Sequence, residues 1–358
     1  MPQVGKRPLS PGSRPKQVGP TRGAAAPSAA ASAILICLLV VLVLRTSLIS
    51  VNATEGGRWR WHQASPVPQA RSEVSVAGDG KYIYFLGGFA AGPNIEEPSL
   101  PNGVFRYDPQ SDRWTVLPPL SEGLHHAGLV VLDDKLFLIG GYRGTSWEPL
   151  ADVQVLDLEA GSSWRQASPM PTARGALALT TSNGRIHAIG GHDGEKSLAV
   201  HEIYDPASDQ WSAAAPIAFP RNHHASAALD RKIYIFGGRD EATAEMDSTE
   251  VYDPAADRWD HAAPLPTGRS GVAAAVIDGR AVVFGGETFG ARRKTFDEAE
   301  LYDPQSDSWS SLPAMPHSRH GLGAATIGSR IHVIAGGPTA GLSYSAENSY
   351  LERSEGSR

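Results

Sequence analysis

The chain has 358 residues, 41% of them hydrophobic and 20% charged, with a formal net charge of −6. Residues 1–54 hold six Lys or Arg and no acid, so the remainder carries −12; that balance excludes a surface built to follow nucleic-acid phosphates. The one cysteine, Cys37, lies in the N-terminal segment, so the rest of the chain has no thiol for a disulfide, a nucleophile or a metal ligand.

Residues 1–31 are rich in Pro, Gly, Ser, Ala and basic side chains and lack large apolar ones; this composition predicts disorder. An unbroken apolar run follows from Ala33 to Leu44 and ends at Arg45. Read as a single hydrophobic helix over 32–51, it serves either as a signal anchor or as the core of a signal peptide. An anchor needs roughly 20 residues, which the run reaches by borrowing Ala24–Ser32. The basic residues ahead of it would then stay cytoplasmic and place the rest outside, as a single-pass membrane protein. A signal peptide fits the run's length equally, with Val51-Asn52-Ala53 as a small-residue cleavage site and a secreted or periplasmic product. A transit peptide fits the lack of acids but not the solid apolar core. Asn52-Ala53-Thr54 is an acceptor sequon of a kind that arises often by chance. Residues 52–57 read as a linker and 352–358 as a disordered tail.

Between them, residues 58–351 repeat. Gly-Gly pairs stand at Gly87-Gly88, Gly140-Gly141, Gly190-Gly191, Gly237-Gly238, Gly285-Gly286 and Gly336-Gly337, 47 to 53 residues apart. A Trp lies 26 residues ahead of the pair in five units (Trp61, Trp114, Trp164, Trp211, Trp259) and 27 ahead in the sixth (Trp309). Tyr-Asp-Pro recurs at Tyr107, Tyr204, Tyr252 and Tyr302, with Leu156-Asp157-Leu158 as a degenerate copy. An Arg precedes a small-residue apolar run in five units (Arg71, Arg174, Arg221, Arg269, Arg319), and Leu124 replaces it in the second. Each unit predicts four short strands, here a to d. Strand a is the small-residue run, b enters Gly-Gly, c ends at Tyr-Asp-Pro and d carries the Trp. Proline cannot donate to a ladder and so ends strand c. A four-stranded sheet cannot cover both of its faces alone, so the units must stack radially. The last unit lacks a Trp strand, and Trp59-Arg60-Trp61 precedes the first as a surplus one. The N-terminal strand is therefore expected to complete the last sheet and close its open edge.

These linked positions of Arg, Gly-Gly, Tyr and Trp resemble the kelch repeat, whose period is about 50 residues. The resemblance covers roughly residues 58–351 and implies an all-β, six-bladed kelch β-propeller closed by an N-terminal outer strand and preceded by the hydrophobic helix.

In such a blade the d–a and b–c connections emerge on one face. Around the Arg this face gathers Ser72, His125, His126, Asn222, His223, His224, Ser270 and His320. After Gly-Gly it gathers Phe89, Tyr142, Arg143, His192, Asp193, Arg239, Asp240 and Glu287. These positions differ from unit to unit, as a binding surface on a regular scaffold should. In the kelch family the residue after the Arg often lines the ligand face, which by resemblance carries to Ser72, His125, Asn222, Ser270 and His320; Tyr142, His192 and Arg239 join them as the expected site. Five of the twelve histidines start inner strands and could converge on the axis. Imidazoles suit a transition metal, but no pair has a metal-motif spacing, and turn histidines lining a solvated channel are the preferred reading. Adjacent His-His side chains alternate on a strand, so at most one of each pair is expected to face the axis. No metal and no cofactor are therefore expected. The repeated Arg and Asp residues read as structural, bonding turn carbonyls and closing the c–d turn. Three b–c loops are long (89–102, 239–248, 287–297); the first holds Glu96-Glu97 and the third Arg292-Arg293-Lys294. Solvated charge explains each alone, and together they could rim a ligand on one side of the disc.

Two functions compete. One is a recognition module, expected as a monomer, that presents this face to a protein, peptide or glycan. The other is a sugar-active enzyme of the kelch type, for which the sialic acid mutarotases are the nearest resemblance. The copper chemistry of galactose oxidase needs a Tyr–Cys cross-link that a propeller without Cys cannot form. The iron-binding Glu-x3-Asp-x3-His pattern of the nitrile-specifier kelch proteins is missing too.

Overall fold

The computed structural model describes residues 59–94, 97–241, 245–290 and 293–353. The apolar run, the sequon, Cys37, Glu96 and Arg292 lie outside them. Among the described residues all regular structure is β-strand, and no helix is long and apolar enough to cross a membrane.

Six antiparallel four-stranded sheets account for most of it. The fourth is representative: Ala225–Leu229, Lys232–Phe236, Thr249–Asp253 and Arg258–Ala262 pair in sequence order. In the last sheet Trp59–Gln63 pairs with Asn348–Arg353, setting Trp61 opposite Leu351. That pairing extends strand c two residues beyond the expected boundary at 351, because Glu352 and Arg353 face Arg60 and Trp59. The a strands of successive sheets lie side by side in one closed cycle, the sixth beside the first.

Burial follows this geometry. Strand b, between two strands and two neighbouring sheets, is buried over Ile83–Leu86 and Ile233–Phe236. Strand a is made of small residues because the sheets converge there: a Cβ on Gly128 would sit 2.2 Å from Leu179, and one on Gly323 2.2 Å from Val76. The apolar core divides into wedges, one between each pair of neighbouring sheets. The Trp side chains hydrogen-bond across these wedges as well as packing. Each indole N–H donates to a carbonyl of the preceding sheet: Trp61 to Pro313, Trp114 to Ser65, Trp164 to Pro118, Trp211 to Ser168, Trp259 to Ala215 and Trp309 to Ala263, all at 2.8–3.0 Å.

The Gly pairs explain themselves through φ. The first Gly lies at 59–67° and the second at 85–108° in the first five units, a region that costs a residue with a Cβ. The N–H of the second donates to the carbonyl at the next unit's Arg position, as Gly191 does to Arg221 at 2.8 Å and Gly88 to Leu124 at 2.9 Å. In the sixth unit Gly336 makes this bond, to Arg71, and Ala335 takes the first position at φ 57°. The true pair there is Ala335-Gly336, which restores the 26-residue spacing from Trp309.

The repeat Arg residues are structural. All five are 0–1% exposed. Arg71, Arg221 and Arg269 donate to the carbonyl of their own first Gly, and Arg319 donates to Ala335 in that place. Arg174, Arg221 and Arg269 also pair with buried Glu202, Glu250 and Glu300 on strand c. Arg71 has no such acid and lies over Phe85 and Phe105 instead, 5.1 and 5.5 Å from the ring centres. The Tyr-Asp-Pro aspartates cap the c–d turn: the Asp205 and Asp253 carboxylates accept the Ala207 and Ala255 N–H groups.

Candidate functional site

The face formed by the d–a and b–c connections is built from two positions per unit. The residue after the repeat Arg pairs with the residue after Gly-Gly: Ser72 with Phe89, His125 with Tyr142, Gly175 with His192, Asn222 with Arg239, Ser270 with Glu287, and His320 with Gly337. The eight residues expected as the site occupy these pairs. Leu124 in place of Arg leaves the second unit's pairing intact, as Leu124 itself pairs with Arg143.

The next residue in each unit turns left-handed: Glu73, His126, Ala176, His223, Gly271 and Gly321 have φ between 52 and 65°. Their backbones close a ring. Each N–H donates to the carbonyl of the preceding unit's residue, from Glu73 to Gly321 and on through His126, Ala176, His223, Gly271 and Gly321, at 2.7–3.2 Å. This ring overturns, for His125 and His126, the expectation that one histidine of an adjacent pair points away; His223 and His224 do diverge. Left-handed φ breaks strand alternation, so the His125 and His126 rings lie 4.8 Å apart and their Nδ1 atoms are in contact. His224, beyond the turn, is buried against Gly190.

A cavity of about 280 Å³ opens beside the ring, lined by Tyr142, Trp147, His192, Asn222, His223, Arg239, Asp240 and Glu241. It unites four of the expected residues. Asn222 donates to the Ser197 hydroxyl at 2.6 Å, and Glu241 accepts both the Ser197 hydroxyl and its N–H. The Tyr142 hydroxyl donates to the His192 carbonyl at 2.8 Å, and burial pushes its pKa up. Arg239 links the cavity to the rest of the face, reaching His223, the Ser270 hydroxyl and Glu287 at 3.0–3.1 Å. Ser72, His125, Ser270 and His320 are at most 1% exposed and form the floor.

Two residues absent from the expected site shape it. Trp147, 41% exposed at φ 59°, stands over His125, His126 and Tyr142 with ring centres 4.8–5.1 Å away. Its signal was a Trp outside the 26-residue register. Glu73 occupies the place taken by His126 and His223 in their units, one residue beyond Ser72.

Burial lowers His125 to about 3, helped by the neighbouring His126. Burial and then Arg239 hold His223 well below its ordinary value. Glu73 is pushed up by burial, but His126 first, then His223 and His320, outweigh this and hold it well below the usual carboxylate range. At neutral pH the floor therefore presents the Glu73 carboxylate, with His125 and His223 neutral. Two of the long b–c loops carry short strand pairs, Ala90–Asn94 with Glu97–Ser99 and Glu287–Thr288 with Lys294–Thr295. Of the described residues of the basic run, Lys294 pairs with Glu298 at 3.0 Å, while Arg293 lies over Phe289.

The kelch-motif family model matches residues 70–121, 123–171 and 173–217, and the model described as the KLHDC2/KLHL20/DRC7 kelch-repeats domain matches 214–347. The chain belongs to the kelch-repeat β-propeller family. It is 29% identical over 200 residues to Kelch-like protein 34 of Homo sapiens, covering 52% of this chain and 31% of that protein. It is 28% identical over 195 residues to Kelch-like protein terF of Aspergillus terreus, covering 51% and 42%. The chain thus spans less than half the length of these relatives. Among solved structures, that of YjhT superposes with a TM-score of 0.69 over 80% of this chain and 95% of its own, at 17% identity, a likeness of fold.

Proposed function

We propose that this protein is a six-bladed kelch propeller that captures an extended segment of a partner protein over the cavity between the second, third and fourth sheets. The exposed Trp147 carries this reading. A large apolar plate at 41% exposure beside convergent polar groups suits an aromatic anchor at a recognition site. His192, Arg239, Asp240 and Glu241 supply the polar contacts that would fix orientation. The kelch-like relatives support a protein-binding role, and the regular repeat positions are all occupied by packing. A pyranose ring stacked on Trp147 is the second reading, since a flat aromatic beside carboxylates and an amide also suits a sugar. By this proposal the face is displayed outside the cell, the run from Ala33 to Leu44 carrying it across the membrane; N-terminal sequencing and carbonate extraction of the expressed chain test that part.

The binding test is a peptide array and a glycan array probed with the purified chain, its Trp147→Ala and Arg239→Ala variants, and Arg231→Ala on the opposite face. Loss of an anchor contact should weaken peptide capture by about 2 kcal/mol for Trp147→Ala, with Arg231→Ala unchanged. Capture of a glycan but no peptide would replace the first reading with the second. Binding lost only in Arg231→Ala would move the site to the other face.

A further inference from the structure

Glu73, Glu287 and His320 come from the first, fifth and sixth units and meet below the ring, their side chains 12%, 2% and 1% exposed. The His320 Nδ1 lies 3.0 Å from the Gly337 carbonyl oxygen, to which it donates. That bond occupies Nδ1 and turns Nε2 toward the two carboxylates, Glu73 Oε1 and Glu287 Oε2, each 3.5 Å away.

The two Nε2–oxygen separations match the edges of a metal polyhedron, and all three donor atoms lie within 4.8 Å of one another. A tetrahedral ion with bonds of about 2.1 Å to nitrogen and oxygen spaces its ligands about 3.4 Å apart. We propose that Glu73, Glu287 and His320 bind one divalent transition-metal ion, of the zinc or manganese class, on the floor of the site. The mixed imidazole and carboxylate donors select such ions over magnesium or calcium, which prefer all-oxygen cages.

The surroundings orient each ligand, as metal sites require. Gly337 holds His320. Glu287 accepts the Gly341 N–H at 2.9 Å on Oε2 and Arg239 on Oε1. Glu73 meets His126 Nε2 at 3.1 Å through its other oxygen. Glu73 belongs to a second triple with His126 and His223, but His223 is already held between Asn222 and Arg239. The first triple is therefore the site. Three protein donors leave a coordination position for water or a ligand oxygen. Sequence spacing gives no sign of it, because the ligands lie on three units more than two hundred residues apart at the extremes.

The test uses the full chain, stripped with chelator and dialysed against Zn2+ or Mn2+, with bound metal measured by mass spectrometry and affinity by calorimetry. The wild type should retain about one ion per chain, and Glu287→Gln and His320→Ala should each weaken binding by at least about tenfold, since loss of even a partner that only orients a ligand costs that much. His317→Ala, an exposed histidine away from the cluster, should bind as wild type. Circular dichroism of each variant separates unfolding from ligand loss; if His320→Ala does not fold, Glu73→Gln, which keeps the side-chain volume, takes its place. A wild type that retains below about a tenth of an ion per chain, or folded variants that bind as tightly as wild type, would overturn the site.

Discussion

Replacing Arg221 by leucine tests how the repeat Arg is stabilised. Arg221 and Glu250 are both 0% exposed. The guanidinium donates to the Gly237 carbonyl at 2.9 Å, the Ser248 carbonyl at 3.1 Å and the Ser248 hydroxyl at 2.8 Å, and pairs with Glu250. Arg221→Leu leaves the Glu250 carboxylate buried, with the Ala218 N–H at 2.8 Å as its remaining donor among the described residues. An uncompensated buried charge costs about 3–5 kcal/mol. The second unit already contains the repaired combination: Leu124 replaces the Arg, and Gln154, opposite Leu138 as Glu250 is opposite Ile235, replaces the acid. Adding Glu250→Gln to Arg221→Leu should therefore recover about 2 kcal/mol, a coupling within the range for contacting residues. Urea unfolding of the wild type, both single variants and the double variant measures it. If the double variant loses the sum of the two single losses within about 0.5 kcal/mol, the charge is not what makes the pair costly to break.

Acid should unfold the protein early. Burial lowers His187 to about 4, and His201 and His224 to about 3. The unfolded chain titrates near 6.5 and so binds more protons than the native state between roughly pH 6.5 and 4. Stability is then full above 6.5 and falls with pH, by about 1.4 kcal/mol per pH unit for each histidine. Thermal melts at pH 7 and 5 check this, and His201→Gln should flatten the dependence; identical melting at both pH values would contradict it. Trp61→Ala should cost about 3 kcal/mol, at the low end for a core Trp because the ring is half-buried. It removes the bond to Pro313 and the edge contact with Phe284 at 6.0 Å, and an unchanged melting temperature would show that the N-terminal strand does not stabilise the closure.

The repeating part of this fold was legible because each recurring residue answers a recurring physical demand. Gly-Gly marks the left-handed end of strand b, the Arg fills the polar hole behind it, and Trp bridges one wedge. Even the irregular spacing at Trp309 held information: the pair had slipped by one because Ala335 accepts a left-handed φ of 57°. The site was legible only as a face. Glu73 and His126 took left-handed backbone without glycine to announce it, so alternation misdirected the reading of His125 and His126. Trp147 broke the register and carried no repeat signal. Which of the singled-out side chains would be floor and which accessible depended on packing between units far apart in sequence, as with Ser72 and His320.

The backbone ring explains how one scaffold can hold an asymmetric site. Its six hydrogen bonds involve only N–H and C=O groups, so the side chains at those six positions are free to differ. Here Ala176, Gly271 and Gly321 leave space, while Glu73, His126 and His223 fill it. The cavity under Trp147 belongs to the second, third and fourth units, and the Glu73–Glu287–His320 triple to the first, fifth and sixth. Arg239 touches both, through His223 on one side and Glu287 on the other. A ligand that draws Arg239 toward Asp240 and Glu241 must loosen its hold on Glu287, and an ion on Glu287 competes for the same carboxylate charge. The two halves of the floor therefore share one guanidinium. Arg239→Lys, which keeps the charge but loses the fork that spans them, should affect peptide capture and metal retention together, whereas Trp147→Ala should affect capture alone.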